Sequence, residues 1–490
     1  MTNRQNAHRT QSIDPCTAAR SSRYKQVEAE LHQFLQVHRE GGVTRDFGLF
    51  ERELHKRMLK LEREVLAEEL ERADVNAPSV TQDGVRYNRV LRSEDTIFTT
   101  AGEVRVMRTL YKDHSNKSSG TLCPLELRIG MLEGRWTPEA ARQAAWVVSQ
   151  LTPKVGEELF RRIGNMTPSK SALDRLPKQL SVRWEEKRAD FEKTVREAEL
   201  VPDGAVTVAI SLDGVMVPMK DGEGSEKRAE AKADGKLTRG PSGYREAGCG
   251  SLSFYDEAGE ILHAIRIGRM PETKKATLKS MLKEELGRAL AEQPQLKVVA
   301  VADGAKDNWS YLNDEVLDAL PSSIRAGGII DFYHATEHLS DALGAAYGKG
   351  SVKARAMFDK HRRILLEDPD GATKVTRSLV HLRSKHPRRL LLQRTVTYFR
   401  GNKDRMRYAD FRQSGLPIGS GPIEAACKTL VTQRMKNSGM RWGQEGGQAI
   451  LTLRGWSQSD RFDQAWALLA ATYQAEVRVI SRVDTLEMAA

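Results

Sequence analysis

The chain is short of long apolar runs and of cysteine, and each shortage narrows what it can be. No apolar stretch approaches the roughly 18 residues needed to span a bilayer. The opening residues, MTNRQNAHRTQSIDPCTAARSSRYKQ, lack the apolar core of a secretory signal. The four cysteines, Cys16, Cys123, Cys249 and Cys427, are widely scattered and form no CxxC pair, so neither a zinc site nor a disulfide framework is indicated. A reducing cytoplasm is the natural setting. What is present in excess is positive charge. With 77 Lys and Arg against 66 Asp and Glu, the net charge of +11 favours a polyanionic partner, most often nucleic acid. At 490 residues the chain has room for two to four domains with at least one sizeable core.

Residues 1–23 are polar and read as a disordered tail. Over 24–78 the pattern is helical. Within FGLFERELHKRMLKLEREVLAEELERAD the apolar residues Phe47, Leu54, Met58, Leu61 and Val65 recur by sevens, fours and threes, but Glu51 and Glu68 interrupt the seam. An amphipathic helix and a dimer contact both fit that spacing. Over 79–135, TIFTTAGEVRVMRTLYKD alternates about Ala101-Gly102 as a β-hairpin does. Residues 136–200 return to helix, with short helices joined at Gly164 and a cap at Thr167 or Ser169. That arrangement fits a helix-turn-helix with Lys170 and Arg175 on the reading helix, and equally a small helical bundle. SVRWEEKRADFEKTVREAEL is a charged connector ending at Pro202-Asp203-Gly204.

The stretch 201–340 carries the most information. AVTVAISLDGVMV is a near-continuous β-branched run and reads as a buried strand with Asp213 before Gly214. A charged, glycine-rich loop over 220–243 follows, then a hairpin of REAGCGSLSFYD and ILHAIRIGR. The helix TKKATLKSMLKEELGRAL leads to a second buried strand, LKVVAVADGAKDNW, with Asp303 before Gly304. A further helix and the strand AGGIIDFYH, ending in Asp331, complete the order β-β-β-α-β-α-β. A right-handed crossover in that order sets the first and fourth strands side by side, with Asp213 and Asp303 near each other. Residues 341–416 read as helical and basic. Over 417–490, the turn in GLPIGSGPIEAACKTL delivers Glu424 in the first turn of a helix, with Glu445 the next acid downstream.

Two aspartates ending buried strands and a glutamate opening a later helix can surround one or two divalent ions. Phosphoryl transfer uses hard oxygen ligands of this kind for Mg²⁺. The competing reading makes each Asp-Gly an ordinary turn. A rival motif is HATEH, residues 334–338, which matches the H-x-x-E-H pattern of inverted zinc metalloproteases, with His334 and His338 as ligands and Glu337 as base. His334 also reads as a group beside the carboxylates that positions a phosphate or protonates a leaving group. Lys428 lies one helical turn after Glu424 and is placed to pair with it. VTQRMKNSGMRWG offers Arg434, Lys436, Arg441 and Trp442 for phosphate contact and base stacking. Trp309 and Trp456 read as core.

Many long stretches carry a family resemblance in order: SLDGVMVPMKDG, YREAGCGSLSFYD, RIGRMPETKKATLK, VADGAKDNWSYL, DFYHATEHL, KHRRILLEDPDGA, PIGSGPIEAACKTLVTQRMKNSGMRW and SDRFDQAW. Over about 84–475 they resemble the DDE transposases of bacterial insertion sequences, the ISKra-type group. The resemblance implies an α/β, RNase H-like catalytic core, a mixed sheet with flanking helices, interrupted by an all-helical insertion and preceded by mainly helical DNA-binding regions. It implies Asp213, Asp303 and Glu424 as ligands for Mg²⁺, with Mn²⁺ able to substitute and two ions per site. DFYH is similar to the Asp/Cys-x-x-His signature of Mutator-like transposases, which sets Asp331 and His334 beside the metal ligands. The implied partners are duplex DNA with terminal inverted repeats, target DNA, and further copies of the chain in a synaptic dimer or higher oligomer. The implied setting is the bacterial cytoplasm. Relatives with helical insertions often carry a tryptophan there that stacks on a flipped base. Residues 341–416 contain none, leaving Tyr347, Tyr398 or Phe399 to take that part. A second class of function, a DNA-binding repressor of its own element, would use 137–178 without catalysis.

Overall fold

The computed structural model describes residues 23–42, 46–116, 118–220, 230–235, 243–419 and 421–480. The expectations of a tail over 1–23 and a loop over 220–243 fall largely outside these. Among the described residues, ten strands build two five-stranded sheets. In chain order they are β1 (Ser79–Gln82), β2 (Val85–Thr99), β3 (Gly102–Asp113), β4 (Thr121–Leu122) and β5 (Thr207–Pro218). Then follow β6 (Tyr244–Tyr255), β7 (Ile261–Arg269), β8 (Lys297–Ala302), β9 (Arg325–Ile330) and β10 (Arg478–Val479). The chain is mixed α/β and divides into two compact units. No helix among the described residues is long and apolar enough to cross a membrane.

The first unit comprises Met1–Gln143, Glu157–Lys170 and Ala470–Ala490. Its sheet, ordered β10-β1-β2-β3-β4, is antiparallel throughout. The β2–β3 hairpin turns at Thr100-Ala101, where Gly102 takes a φ of 111° that a side chain would resist. Ile97, Val104 and Val106 are buried near that turn and pack on Ala67 and Leu70 of the helix Phe47–Ala73. Only the last turns of this helix are buried. Phe47, Met58 and Val65 of the expected seam stay exposed, because the sheet is covered by the other end of the helix.

Residues 136–200 form the helices Pro138–Gln150, Pro153–Ile163, Lys170–Glu186 and Arg188–Ala198. They are not a compact unit of their own, since Glu157–Lys170 belongs to the first unit and Ala144–Gly156 and the residues from Ser171 to the second. The third helix does not end near residue 178. It continues through Pro177, and burial of Leu173, Leu176, Leu180 and Trp184 along one face offsets the backbone N–H that proline lacks.

The second unit holds a sheet ordered β7-β6-β5-β8-β9. β5, β6 and β7 meander antiparallel, while β8 and β9 run parallel to β5. The helix Ala276–Glu292 supplies the crossover between β7 and β8. Its Leu278 and Leu282 lie across Gly248 and Gly250 of β6, close enough that a Cβ on either glycine would clash. β5 and β8 are covered on both faces, which explains their unbroken apolar runs. The stretch 341–416 contains the helices Val352–Glu367, Gly371–Lys385, Leu390–Asn402 and Tyr408–Gln413. Their Leu365, Val375, Leu379, Val396 and Phe399 join the same core as Val208, Ile210, Val299 and Ile329 of the sheet.

Candidate active site

β5 and β8 pair in parallel from Thr207↔Lys297 to Ile210↔Ala300 and then part. Three residues past the last pair stand Asp213, within β5, and Asp303, just after β8, so the register sets these two positions level at one end of the sheet. Asp213 does not end its strand, as the sequence suggests. β5 continues beside β6 to Pro218, and only its β8 edge is vacated. Asn308 closes part of that gap by donating from Nδ2 to the Leu212 carbonyl at 3.2 Å. Asp331 lies at the same end, because its backbone N–H donates to the carbonyl of Ala302, the last residue of β8.

The glycine after each aspartate allows close approach; Gly214 makes no turn, while Gly304 lies in a side-chain turn closed from the Ala305 N–H to Asp303. Gly214 lies within β5, and an added Cβ would stand 1.8 Å from Glu246 Oε1. An added Cβ on Gly304 would stand 2.2 Å from Cε2 of Tyr398, whose ring lies across the backbone beside Asp303. Neither glycine has positive φ. Both Asp213 and Asp303 remain half-buried. Asp213 Oδ1 accepts from its neighbour's N–H, Gly214, at 2.7 Å, and Asp303 Oδ1 accepts from the Ala305 N–H at 3.0 Å.

Glu424 reaches this end on the helix Gly421–Ala426, which packs on β5 and β6 through Ile423 and Ala426. One turn further along, the Cys427 thiol donates to Asp213 Oδ2 at 3.4 Å. Glu424, one turn before Cys427 on this helix, is exposed. Cys249, the β6 partner of Asp213, and burial hold the Cys427 thiol well above its usual range, so it stays a protonated donor. The backbone then widens into a π-helical turn, Cys427–Thr432. Buried Arg454 fixes that turn, with Nε donating to the Leu430 carbonyl at 2.9 Å and Nη2 to the carbonyl of Thr429.

Asp331 is fully buried and caps the helix Phe332–Tyr347, accepting from the His334 N–H at 2.7 Å. His334 and His338 share a face of this helix, as their spacing requires. His334 Nδ1 lies 3.4 Å from Glu337, and the His338 ring packs on Tyr398 at a centroid distance of 4.1 Å. Desolvation there, together with His334, holds His338 below the usual imidazole range. Burial and the charges of Asp303 and Asp331 push the Tyr398 phenol up. Tyr398 is thus held between Gly304 and His338, and Phe399 is fully buried, so neither ring is free to stack on a base. Tyr347 is half-buried beneath Lys353, 4.8 Å above its ring.

Of the basic residues singled out from the sequence, Lys170, Arg175, Lys428, Lys436 and Arg441 are exposed. Arg434 is not. It is buried, its Nε and Nη2 donate to the Val148 carbonyl at 3.4 Å, and burial pulls it down to about 10. Trp442 also serves packing. Its indole donates to the Met435 carbonyl at 3.0 Å, Arg434 lies 5.2 Å from its ring, and it borders the apolar cluster of Val217, Met219 and Leu430. Arg434 and Trp442 turn inward in a segment whose other basic residues, Lys436 and Arg441, are exposed, a phase that composition does not reveal. Glu445 is exposed in the first turn of the helix Gln444–Gln458, and Trp309 and Trp456 are buried.

Among the described residues no three His, Cys, Asp or Glu side chains converge as a closed metal-ligand group. No family model matches the chain, and no curated protein matches it.

Proposed function

We propose that the chain is a metal-dependent DNA transposase, with an RNase H-like core over 201–340 and 417–490 and a helical insertion over 341–416. The observation that carries this reading is the β5/β8 register, which levels Asp213 with Asp303, together with a later helix that brings Glu424 one turn from a thiol bonded to Asp213. The 3-2-1-4-5 order of the five strands supports it, because carboxylates on the central strands of such a sheet open at one common end. The resemblance of the ordered motifs to insertion-sequence transposases and the net charge of +11 point the same way.

The donor set fits Mg²⁺ or Mn²⁺. It offers hard carboxylate oxygens, two of them half-buried and without a cation partner among the described residues, and few enough to leave sites for water. Asp213, Asp303 and Glu424 would hold the metal, which when bound supplies Lewis-acid activation of the attacking and leaving oxygens. The chain's own residues do the rest. Asn308 holds β5 and β8 apart where substrate enters, Tyr398 fixes the Asp303-Gly304 backbone, and buried Asp331 sets the helix that presents His334 and His338. Exposed Lys170, Arg175, Lys428, Lys436 and Arg441 supply phosphate contacts whose affinity falls with salt. The substrates are element ends with inverted repeats and a target duplex, acted on by a dimer or higher assembly in the bacterial cytoplasm.

The test is cleavage and strand transfer on duplexes made from the DNA flanking the gene, with Mg²⁺ or Mn²⁺. Asp303→Asn is expected to lower cleavage at least about 1,000-fold, the scale of losing a principal transition-state electrostatic contact, with end binding retained. Full activity of Asp303→Ala would sink the assignment. End binding by the wild type with no cleavage under any divalent metal would favour the repressor instead.

A further inference from the structure

The β7–α crossover contains two consecutive non-glycine residues in the left-handed region, Lys274 and Lys275, each with φ 55°. L side chains rarely adopt this conformation, and strain of this kind persists where the surroundings hold it and gathers at functional sites. No helix-capping need explains it. The Leu278 N–H is already capped at 2.9 Å by the Glu272 carboxylate, and Lys275 makes no side-chain cap of its own. The effect of the two left-handed steps is to turn the Lys275 stem back across Gly248 of β6, with its Cγ and Cδ 3.6 Å from where a Cβ would stand.

The ammonium group arrives beside the first aspartate. Lys275 Nζ lies 3.4 Å from the Asp213 carbonyl oxygen, 3.4 Å from Asn308 Oδ1 and 3.0 Å from Glu246 Oε1. Asn308 is the residue in the gap where β8 leaves β5, so Lys275 stands at that gap. Two of its three acceptors are neutral and hold the head group in place without cancelling its charge. The third, Glu246, is half exposed and crosses Gly214, the residue after Asp213. Lys275 is largely buried while Glu246 is half exposed, so this pair leaves the ammonium incompletely neutralised, and the strained backbone holds that charge at the gap.

We infer that Lys275 is a catalytic residue of this site, donating from Nζ to a non-bridging oxygen of the scissile phosphate. The ammonium exchanges its contact with Glu246 for the phosphate oxygen and keeps Asn308 and the Asp213 carbonyl as its mount. No proton leaves the lysine. Its part is to oppose the negative charge on the transferring phosphoryl group, the use made of lysine as a point charge in phosphate sites. This inference rests on the phosphoryl-transfer reading above.

Full-length wild type, Asp303→Asn, Lys275→Met and Lys275→Arg are to be compared on the flanking-DNA duplex in single turnover, with Rp or Sp phosphorothioate at the cleaved position, alongside end-binding affinity and thermal melting. Lys275→Met keeps the stem and removes the charge. It is expected to slow cleavage about 100-fold, the scale for removing one donor to a developing charge, with end binding and melting close to wild type. It should also narrow the wild-type difference between Rp and Sp substrates, while Lys275→Arg recovers part of the rate. Cleavage by Lys275→Met within twofold of wild type would overturn the assignment and leave the carboxylates standing, provided Asp303→Asn is inactive. Lost cleavage with lowered melting and an unchanged Rp/Sp difference would also overturn it, making Lys275 a structural residue. A wild type that cleaves nothing overturns both readings.

Discussion

The two sheets of this chain have five strands each, yet they differ in what their ends can do. The first is a run of antiparallel hairpins, so every strand end feeds a turn or an edge. β2 is buried at its Thr99 end and open in its middle, where Val90 and Leu91 stay about half exposed across a bulge. The second sheet has its two central strands parallel and covered on both faces. Parallel neighbours end at the same side without a connecting turn, and that side holds Asp213, Asp303 and Asp331. Burying both faces makes the scaffold rigid, and the parallel centre leaves an unblocked rim on which chemistry can be mounted.

Substitutions that remove packing should separate the two sheets most clearly. Leu282 is fully buried and lies over Gly250 of β6. Leu282→Ala is expected to cost about 2–5 kcal/mol, read as a lower urea midpoint for the second unit. A cost as small as that of a surface change would break the comparison.

A smaller effect comes from Glu192, packed near Arg188 and Arg196 on the rim of a cavity lined by Trp184, Arg269 and Glu285. Burial pushes its carboxyl up to about 7 from 4.5, outweighing the two arginines. The folded state therefore holds a proton that the unfolded chain has released between those values. Its contribution to stability is full below about pH 4.5 and falls as pH rises through about 7, by at most about 3 kcal/mol. Glu192→Gln should flatten this slope in urea midpoints measured from pH 5 to 8. The smallest effect belongs to the open middle of β2, where Leu91→Ser should change stability by less than about 0.5 kcal/mol. A larger loss there would mean that stretch is covered by something in solution.

Much of the second sheet was legible because a near-continuous β-branched run of strand length fits little besides a strand buried on both faces. The strand order and the two aspartates follow from that, while 341–416 was legible separately by its own helical, basic pattern. The surroundings of the aspartates were not legible. Asp-Gly is a common turn, and only the positions of Glu246 and Tyr398 reveal that these glycines make room for side chains arriving from 32 and 94 residues away along the chain (246 − 214 and 398 − 304). The approach of Cys427 to Cys249 and Asp213 is likewise invisible, since neither cysteine has a partner nearby in sequence. Arg434 was misread because a basic residue gives no sign of which way its helix turns. Its cation is held by a carbonyl and an indole, contacts that exist only after folding.

The π-helical turn after Glu424 acts as a phase marker for the whole helix. An α-helix rotates about 100° per residue, so a wide turn that holds one extra residue resets every side chain that follows it relative to those before. Residues 421–426 and 433–435 therefore answer to different partners, the first to the carboxylate end of the sheet and the second to buried Val148 and Trp442. Deleting a single residue between Cys427 and Thr432 would leave composition, charge and helicity nearly untouched. It would still turn Ile423 and Ala426 away from the sheet or Arg434 away from its carbonyl, because a regular helix cannot satisfy both.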